Sequence, residues 1–109
     1  MEASKQDLLD GTTPRIACFN AQQSVEKLLK AVLTQNGILF PRTHDLTALE
    51  AMLPSALQMR TTSLNLGSLN DWAVAARYPD FVSLATPSDA AQAIQVAEDA
   101  FAALASEIP

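Results

Sequence analysis

The stretch from Thr13 to Gly37 constrains the fold most strongly, because it carries the start signal, the periodicity and the stop signal of one long helix. Thr13 can cap the helix with its hydroxyl, Pro14 is favoured at the first helical position, and the Asn36-Gly37 pair is a typical stop. Apolar residues recur between these signals at helical spacing, which predicts an amphipathic helix with one buried face. That face comprises Cys18, Ala21, Val25, Leu28, Leu29 and Val32.

Polar residues flank this predicted face, namely Gln22, Gln23, Glu26, Lys27 and Lys30. Glu26 and Lys30 are four residues apart in the order that favours an ion pair, which contributes about 0.2–0.5 kcal/mol on an exposed helix. Two interpretations fit these residues equally well: a plain surface ion pair, or a polar groove that holds a ligand.

Further helices are predicted along the rest of the chain. Thr43 can cap a short helix over residues 44–53, and residues 62–76 have the periodicity of a third helix. Residues 55–62 are predicted to be a loop or the frayed entry to that helix. The last helix begins at Thr86, where a cap, a proline and an acidic residue coincide, and it is predicted to reach about Glu107.

Length and composition indicate one domain, residues 1–109, because 49% apolar residues and 3 glycines suit a single core. Apolar runs such as residues 72–76 are far shorter than the roughly 20 residues that cross a membrane, so we expect a cytoplasmic protein without membrane contact.

The net charge of −5 argues against a broad nucleic-acid interface. The only cysteine, Cys18, is predicted to be a buried, unreactive thiol, and we expect neither a metal site nor a cofactor.

Three segments together resemble the HEPN family. They are the polar positions from Gln22 to Lys30, the segment FPRTHDL at residues 40–46, and the segment ARYPD at residues 76–80. The resemblance implies an all-α fold, an up-and-down antiparallel helical bundle of four main helices. HEPN domains are commonly encoded beside a minimal nucleotidyltransferase, and several branches are ribonucleases or toxins that use an Arg and a His about four to six residues apart. That Arg/His motif is absent here, since His44 is the only histidine and residues 37–40 contain no arginine.

The N-terminus departs from the family, whose members usually open with a long helix. Residues 3–10 allow only a shortened N-terminal helix of about 12 Å, whereas a helix over residues 14–35 spans about 33 Å. We therefore expect part of the long helix to lack its usual cover. An uncovered apolar face usually finds a partner, so the sequence predicts a homodimer or a complex through this region, with compensation by the short helix and nearby loop residues as the alternative.

Our first hypothesis, which follows from the resemblance, is a partner module that associates with a nucleotidyltransferase, as in a toxin-antitoxin type system, and binds nucleotide or RNA. Arginine would grip phosphate and tyrosine could stack on a base. The predicted ligand-binding residues are Lys27, Arg42, His44, Arg77, Tyr78 and Asp80. Arg77 and Asp80 also fit a simpler interpretation, a pair that ties the loop to the bundle.

Our second hypothesis is a metal-independent ribonuclease toxin with a rearranged active site at a dimer interface. His44 would act as the acid or base, and Arg42 and Arg77 would stabilise the developing phosphate charge. The missing Arg/His motif favours the first hypothesis. A histidine beside a helix start is also often a structural hydrogen-bonding group, and catalysis by His44 would require a second group that orients its ring.

Overall fold

The computed structural model describes residues 14–75 and 85–108, and all regular elements in these ranges are helical. The α-helices are α1 (Pro14–Gln35), α2 (Leu46–Ala51), α3 (Ser55–Thr61), α4 (Asn70–Ala75) and α5 (Pro87–Leu104). Short 3-10 turns cover Thr62–Leu64, Leu66–Leu69 and Ala105–Glu107. The predicted all-α fold is confirmed. The shortened N-terminal helix, Arg77, Tyr78 and Asp80 lie outside the described residues.

The core lies between the two long helices, α1 and α5, which pack against each other. The predicted face of α1 is buried throughout, and α5 contributes small residues that allow close approach. The buried residues of α5 are Ala90, Ala93, Ile94, Ala97, Ala100 and Leu104. Burial raises the pKa of the Cys18 thiol to about 11, and the charge of Asp89 adds to this shift. In the chain between the two long helices, α2 and α4 pack against α1, α3 packs against α5, and the turn Leu66–Leu69 contacts both long helices.

The predicted stop signal of α1 and the predicted start signal of α5 are confirmed, whereas the predicted Thr13 cap of α1 lies outside the described residues. α1 ends before Gly37, whose φ of +71° lies in the left-handed region that glycine adopts without strain. At α5, the Thr86 hydroxyl accepts from the Asp89 backbone N–H, and the Asp89 carboxylate accepts from the Thr86 backbone N–H, which completes a capping box.

The middle of the chain differs from the prediction. Residues 55–62, predicted to be loop or frayed entry, contain the regular helix α3, because Leu57 and Thr61 are buried on one side of it. The helix predicted over residues 62–76 is broken into 3-10 turns and α4. The break lies at Asn65, whose φ of 57° is left-handed and ends the helical path.

A close approach explains why the turn after Asn65 contains a glycine. A Cβ atom on Gly67 would lie 2.7 Å from Cγ2 of Thr47 in α2. The absence of a side chain at Gly67 therefore lets this turn pack directly onto α2.

The uncovered apolar face predicted for α1 is not found. Ile16, 41% exposed, is the one large apolar side chain of α1 that is exposed. The homodimer was predicted from such an uncovered face, so it now lacks that support and stays a prediction. Among the helices of the described residues, none combines the length and the apolar composition of a membrane-spanning segment.

Candidate functional site

The candidate site lies where the connector between α1 and α2 returns to the middle of α1. There Nδ1 of His44 lies 3.0 Å from both carboxylate oxygens of Glu26. The two side chains differ in their exposure, because the Glu26 side chain is only 8% exposed whereas the His44 side chain is 53% exposed. A buried carboxylate thus holds one edge of a surface imidazole.

Glu26 is surrounded by hydrogen-bond donors, which explains how its charge is tolerated in a buried position. Lys30 Nζ lies 3.1 Å from Oε2, and Gln22 Nε2 donates to Oε1 at 3.2 Å. Burial alone would raise the pKa of Glu26, but the hydrogen bonds from His44, Lys30 and Gln22 outweigh it and hold the pKa below its ordinary value. Glu26 is therefore an ionised carboxylate at neutral pH.

Gln22 fixes the backbone of the same loop. Its side chain is fully buried, and Nε2 donates not only to Glu26 but also to the backbone carbonyl of His44 at 3.2 Å. Gln23 Nε2 donates to Gln22 Oε1 at 2.6 Å, which fixes which end of the Gln22 amide faces the loop. The position of His44 is thus set by both its backbone and its ring.

The start of α2 anchors the other side of the loop. The Asp45 carboxylate caps α2 by accepting from the Thr47 N–H, so the cap is Asp45 and not the predicted Thr43, whose hydroxyl accepts from the Asp45 N–H. Hydrogen bonds, above all from the Thr47 hydroxyl, lower the pKa of Asp45. Asn70, the first residue of α4, accepts from the Leu46 N–H at 2.9 Å and donates to Asp45 at 2.8 Å. Three helices therefore meet around the His44 loop.

Lys30 extends the site along the connector. Its Nζ, while bonded to Glu26, lies 5.9 Å from the centroid of the Phe40 ring, within the range of a cation–π contact. With its side chain 27% exposed, Lys30 is reachable from solvent, so it presents a positive group on the same surface as His44.

Three of the predicted ligand-binding residues are described by the structure, namely Lys27, Arg42 and His44, and of these only His44 belongs to this network. Lys27 and Arg42 are exposed, Lys27 one residue after Glu26 on α1 and Arg42 two residues before His44. The described residues contain no group of three His, Cys, Asp or Glu side chains placed to hold a metal ion.

Gln22 and Glu26 were not predicted from the sequence to be hydrogen-bond partners of His44. The predicted Glu26–Lys30 pair is present, but it is not a plain surface pair because Glu26 is buried. The position of Gln22 in the sequence could have indicated that its side chain is buried. It lies four residues after Cys18 and three before Val25, within the buried stripe. A polar residue in such a stripe needs a partner, and the loop of His44 supplies it.

A comparison with known protein families supports the family resemblance seen in the sequence motifs. The model of the HEPN domain family matches residues 1–107, nearly the whole chain. No curated protein and no solved structure gives a significant match. HEPN domains commonly pair with nucleotidyltransferases or act as ribonucleases.

Proposed function

Because the chain belongs to the HEPN family, we propose that it is a partner module that binds RNA or nucleotide at the surface around His44 and associates with a minimal nucleotidyltransferase. The observation that carries the proposal is the half-exposed His44 ring, held in place by the buried Glu26 carboxylate. A surface group fixed by buried partners is pre-organised for binding, because little conformational freedom remains to be lost.

The charges around His44 suit one small, local contact with an anionic ligand. Lys30 is partly exposed next to His44, and Lys27 and Arg42 are exposed nearby in the sequence. Because the whole chain carries a net charge of −5, such a contact involves a few cationic groups and not a basic face. Arg77, Tyr78 and Asp80 complete the proposed ligand-binding set on the strength of the sequence alone.

Binding is tested by fluorescence anisotropy with a labelled single-stranded RNA at low and physiological salt. We expect His44→Ala and Lys30→Met to weaken binding at least severalfold, because each removes a group of the proposed surface. Gln95→Ala serves as the control, since Gln95 is exposed on α5 and bonds only Asp99 among the described residues. Equal affinity in all four proteins would reject the proposed surface.

Partner association is a separate part of the proposal. Apolar side chains that stand out from the described surface offer contacts for a second copy or for the nucleotidyltransferase. They are Leu39 at 95%, Met59 at 80%, Ile16 at 41% and Phe101 at 36% exposure. Light scattering tests the homodimer, and co-purification of a minimal nucleotidyltransferase with the tagged chain from its own host tests the second partner. A monomer that retains no nucleotidyltransferase would contradict this part.

A second function, metal-independent RNA cleavage, is favoured by one specific observation. A histidine that acts as a general acid or base needs a group that orients its ring, and Glu26 lies 3.0 Å from Nδ1. In this function His44 would act as the general acid or base that transfers a proton during cleavage. Arg42 and Arg77 would stabilise the negative charge that develops on the phosphate.

Incubation with a mixed RNA pool, with and without a metal chelator, separates the two functions. Cleavage that survives the chelator and disappears in His44→Ala, but not in Gln95→Ala, would establish the ribonuclease. Intact RNA, bound more weakly by His44→Ala than by the wild type, would support the binding module.

A further inference from the structure

We infer that Glu26 is a positioning residue that fixes the neutral His44 ring with its proton on Nδ1, leaving Nε2 as a hydrogen-bond acceptor at the protein surface. A histidine ring has two nitrogens, and the partner of one decides whether the other donates or accepts. Glu26 therefore decides which chemistry the surface side of His44 offers.

First, in the contact between His44 and Glu26, Nδ1 of His44 is the hydrogen-bond donor. Nδ1 lies 3.0 Å from both oxygens of the Glu26 carboxylate, which is hydrogen-bonding distance. An ionised carboxylate only accepts hydrogen bonds, so the proton of this contact belongs to Nδ1. Lys30 and Gln22 donate to the same carboxylate and support its ionised form.

The second step is that the ring stays in this orientation. The backbone carbonyl of His44 accepts from Gln22, and the Asp45 cap and Asn70 hold the next residues. A ring flipped by half a turn would place a carbon against Glu26 in place of Nδ1. That arrangement would leave the buried carboxylate without one of its donors, which is costly.

The third step is the accessibility of Nε2. The hydrogen bonds that the His44 ring makes to other described residues use Nδ1, and the side chain is 53% exposed. The ring nitrogen left for a ligand is therefore Nε2. In the neutral ring it is a free acceptor, whereas in the protonated ring it becomes a donor.

The consequence for the ligand, which rests on the proposed function, is a matching donor. While its ring is neutral, the His44 side of the surface suits a hydroxyl or amino group, such as a ribose hydroxyl. The neighbouring Lys30 ammonium suits an anionic oxygen. A ribonucleotide, with its hydroxyl next to phosphate, presents both groups.

The test is a long-range 1H–15N NMR spectrum of the free protein labelled with 15N, recorded at an alkaline pH at which the imidazole signals are those of the neutral ring. Because His44 is the only histidine, its two ring nitrogens are the only imidazole signals. We expect a protonated Nδ1 and an unprotonated Nε2. A spectrum with the proton on Nε2 would overturn the inference without any variant being needed.

Two variants test the role of Glu26. In Glu26→Gln an amide can donate to Nδ1, so we expect the dominant form of the ring to reverse and the proton to move to Nε2. Glu107→Gln removes the same charge from a residue that pairs with Arg60, and we expect the wild-type spectrum. An unchanged tautomer in folded Glu26→Gln would show that Glu26 does not set it.

The two proposals can fail separately. Absence of RNA binding by the wild-type protein would reject the proposed function and leave the tautomer result in place. The wrong tautomer in the free protein would reject this inference even if RNA binds.

Discussion

Replacing Glu26 by glutamine measures how much the buried carboxylate contributes to folding. Glu26 is 8% exposed and accepts from Lys30, His44 and Gln22. The amide keeps the size of the side chain but loses its charge and sets a donor group against these donors. A hydrogen bond to a charged group contributes roughly 1.5–3 kcal/mol, but Lys30 and His44 are partly exposed and can regain water. We therefore expect the free energy of unfolding to fall by about 1–3 kcal/mol at pH 7.

The loss should shrink in acid. Although burial acts in the opposite direction, hydrogen bonds hold the pKa of Glu26 below its ordinary value of 4.5, so the folded protein binds this proton more weakly than the unfolded chain. The stabilisation by Glu26 is therefore fully present above about pH 5 and is lost as the pH falls through the folded pKa. Glutamine does not titrate, so the stability of the variant has no such pH-dependent contribution at this position. The difference in stability between the wild type and the variant should therefore be smaller in acid.

The assay is urea unfolding followed by circular dichroism at pH 7 and at pH 3, with Glu107→Gln as the matched control. Glu107 pairs with Arg60 at 3.3 Å, and these side chains are 28% and 44% exposed. We expect the control to lose at most about 1 kcal/mol. Equal losses in the two variants at pH 7, or a Glu26→Gln loss that is unchanged at pH 3, would show that the ionised Glu26 carboxylate does not stabilise the fold in this way.

Three further predictions concern the bundle. Thr86→Ala removes the capping box of α5 and should lower the free energy of unfolding by about 0.5–2 kcal/mol in urea titrations; no loss would contradict the role of the cap. Gly67→Ala should cost about 1–3 kcal/mol, because its Cβ would lie 2.7 Å from Thr47 Cγ2, and Thr47→Ser, which removes that methyl group, should restore much of the loss. The Cys18 thiol, fully buried and with its pKa raised to about 11, should react with Ellman's reagent at pH 8 only after unfolding, so rapid labelling of the native protein would be contrary evidence.

The long helices could be predicted from the sequence because their signals are local. A cap, a proline at the first helical position and a regular apolar stripe define α1 and α5 without knowledge of distant contacts. The broken third helix could not be predicted in this way. Its course depends on the left-handed Asn65 and on the contact between Gly67 and Thr47, two residues that are 20 positions apart in the chain.

In the candidate site, too, short local patterns could be predicted from the sequence, whereas the long-range contact could not. Sequence reasoning selected His44 and the Glu26–Lys30 pair, since both belong to short recognisable patterns. The contact that joins them spans 18 residues and forms only when the connector folds back onto α1. No local pattern specifies that return, although the buried position of Gln22 within the apolar stripe indicates that a polar partner must approach there.

Chemical-shift mapping of the 15N-labelled protein shows directly whether the surface around His44 binds RNA or nucleotide. A short single-stranded RNA and a nucleoside monophosphate would each be titrated into it. We expect the largest shifts in two stretches, residues 22–30 of α1 and residues 42–46 at the end of the connector and the start of α2. Shifts confined to the exposed side of α5, or no shifts at saturating ligand, would contradict the proposed binding surface.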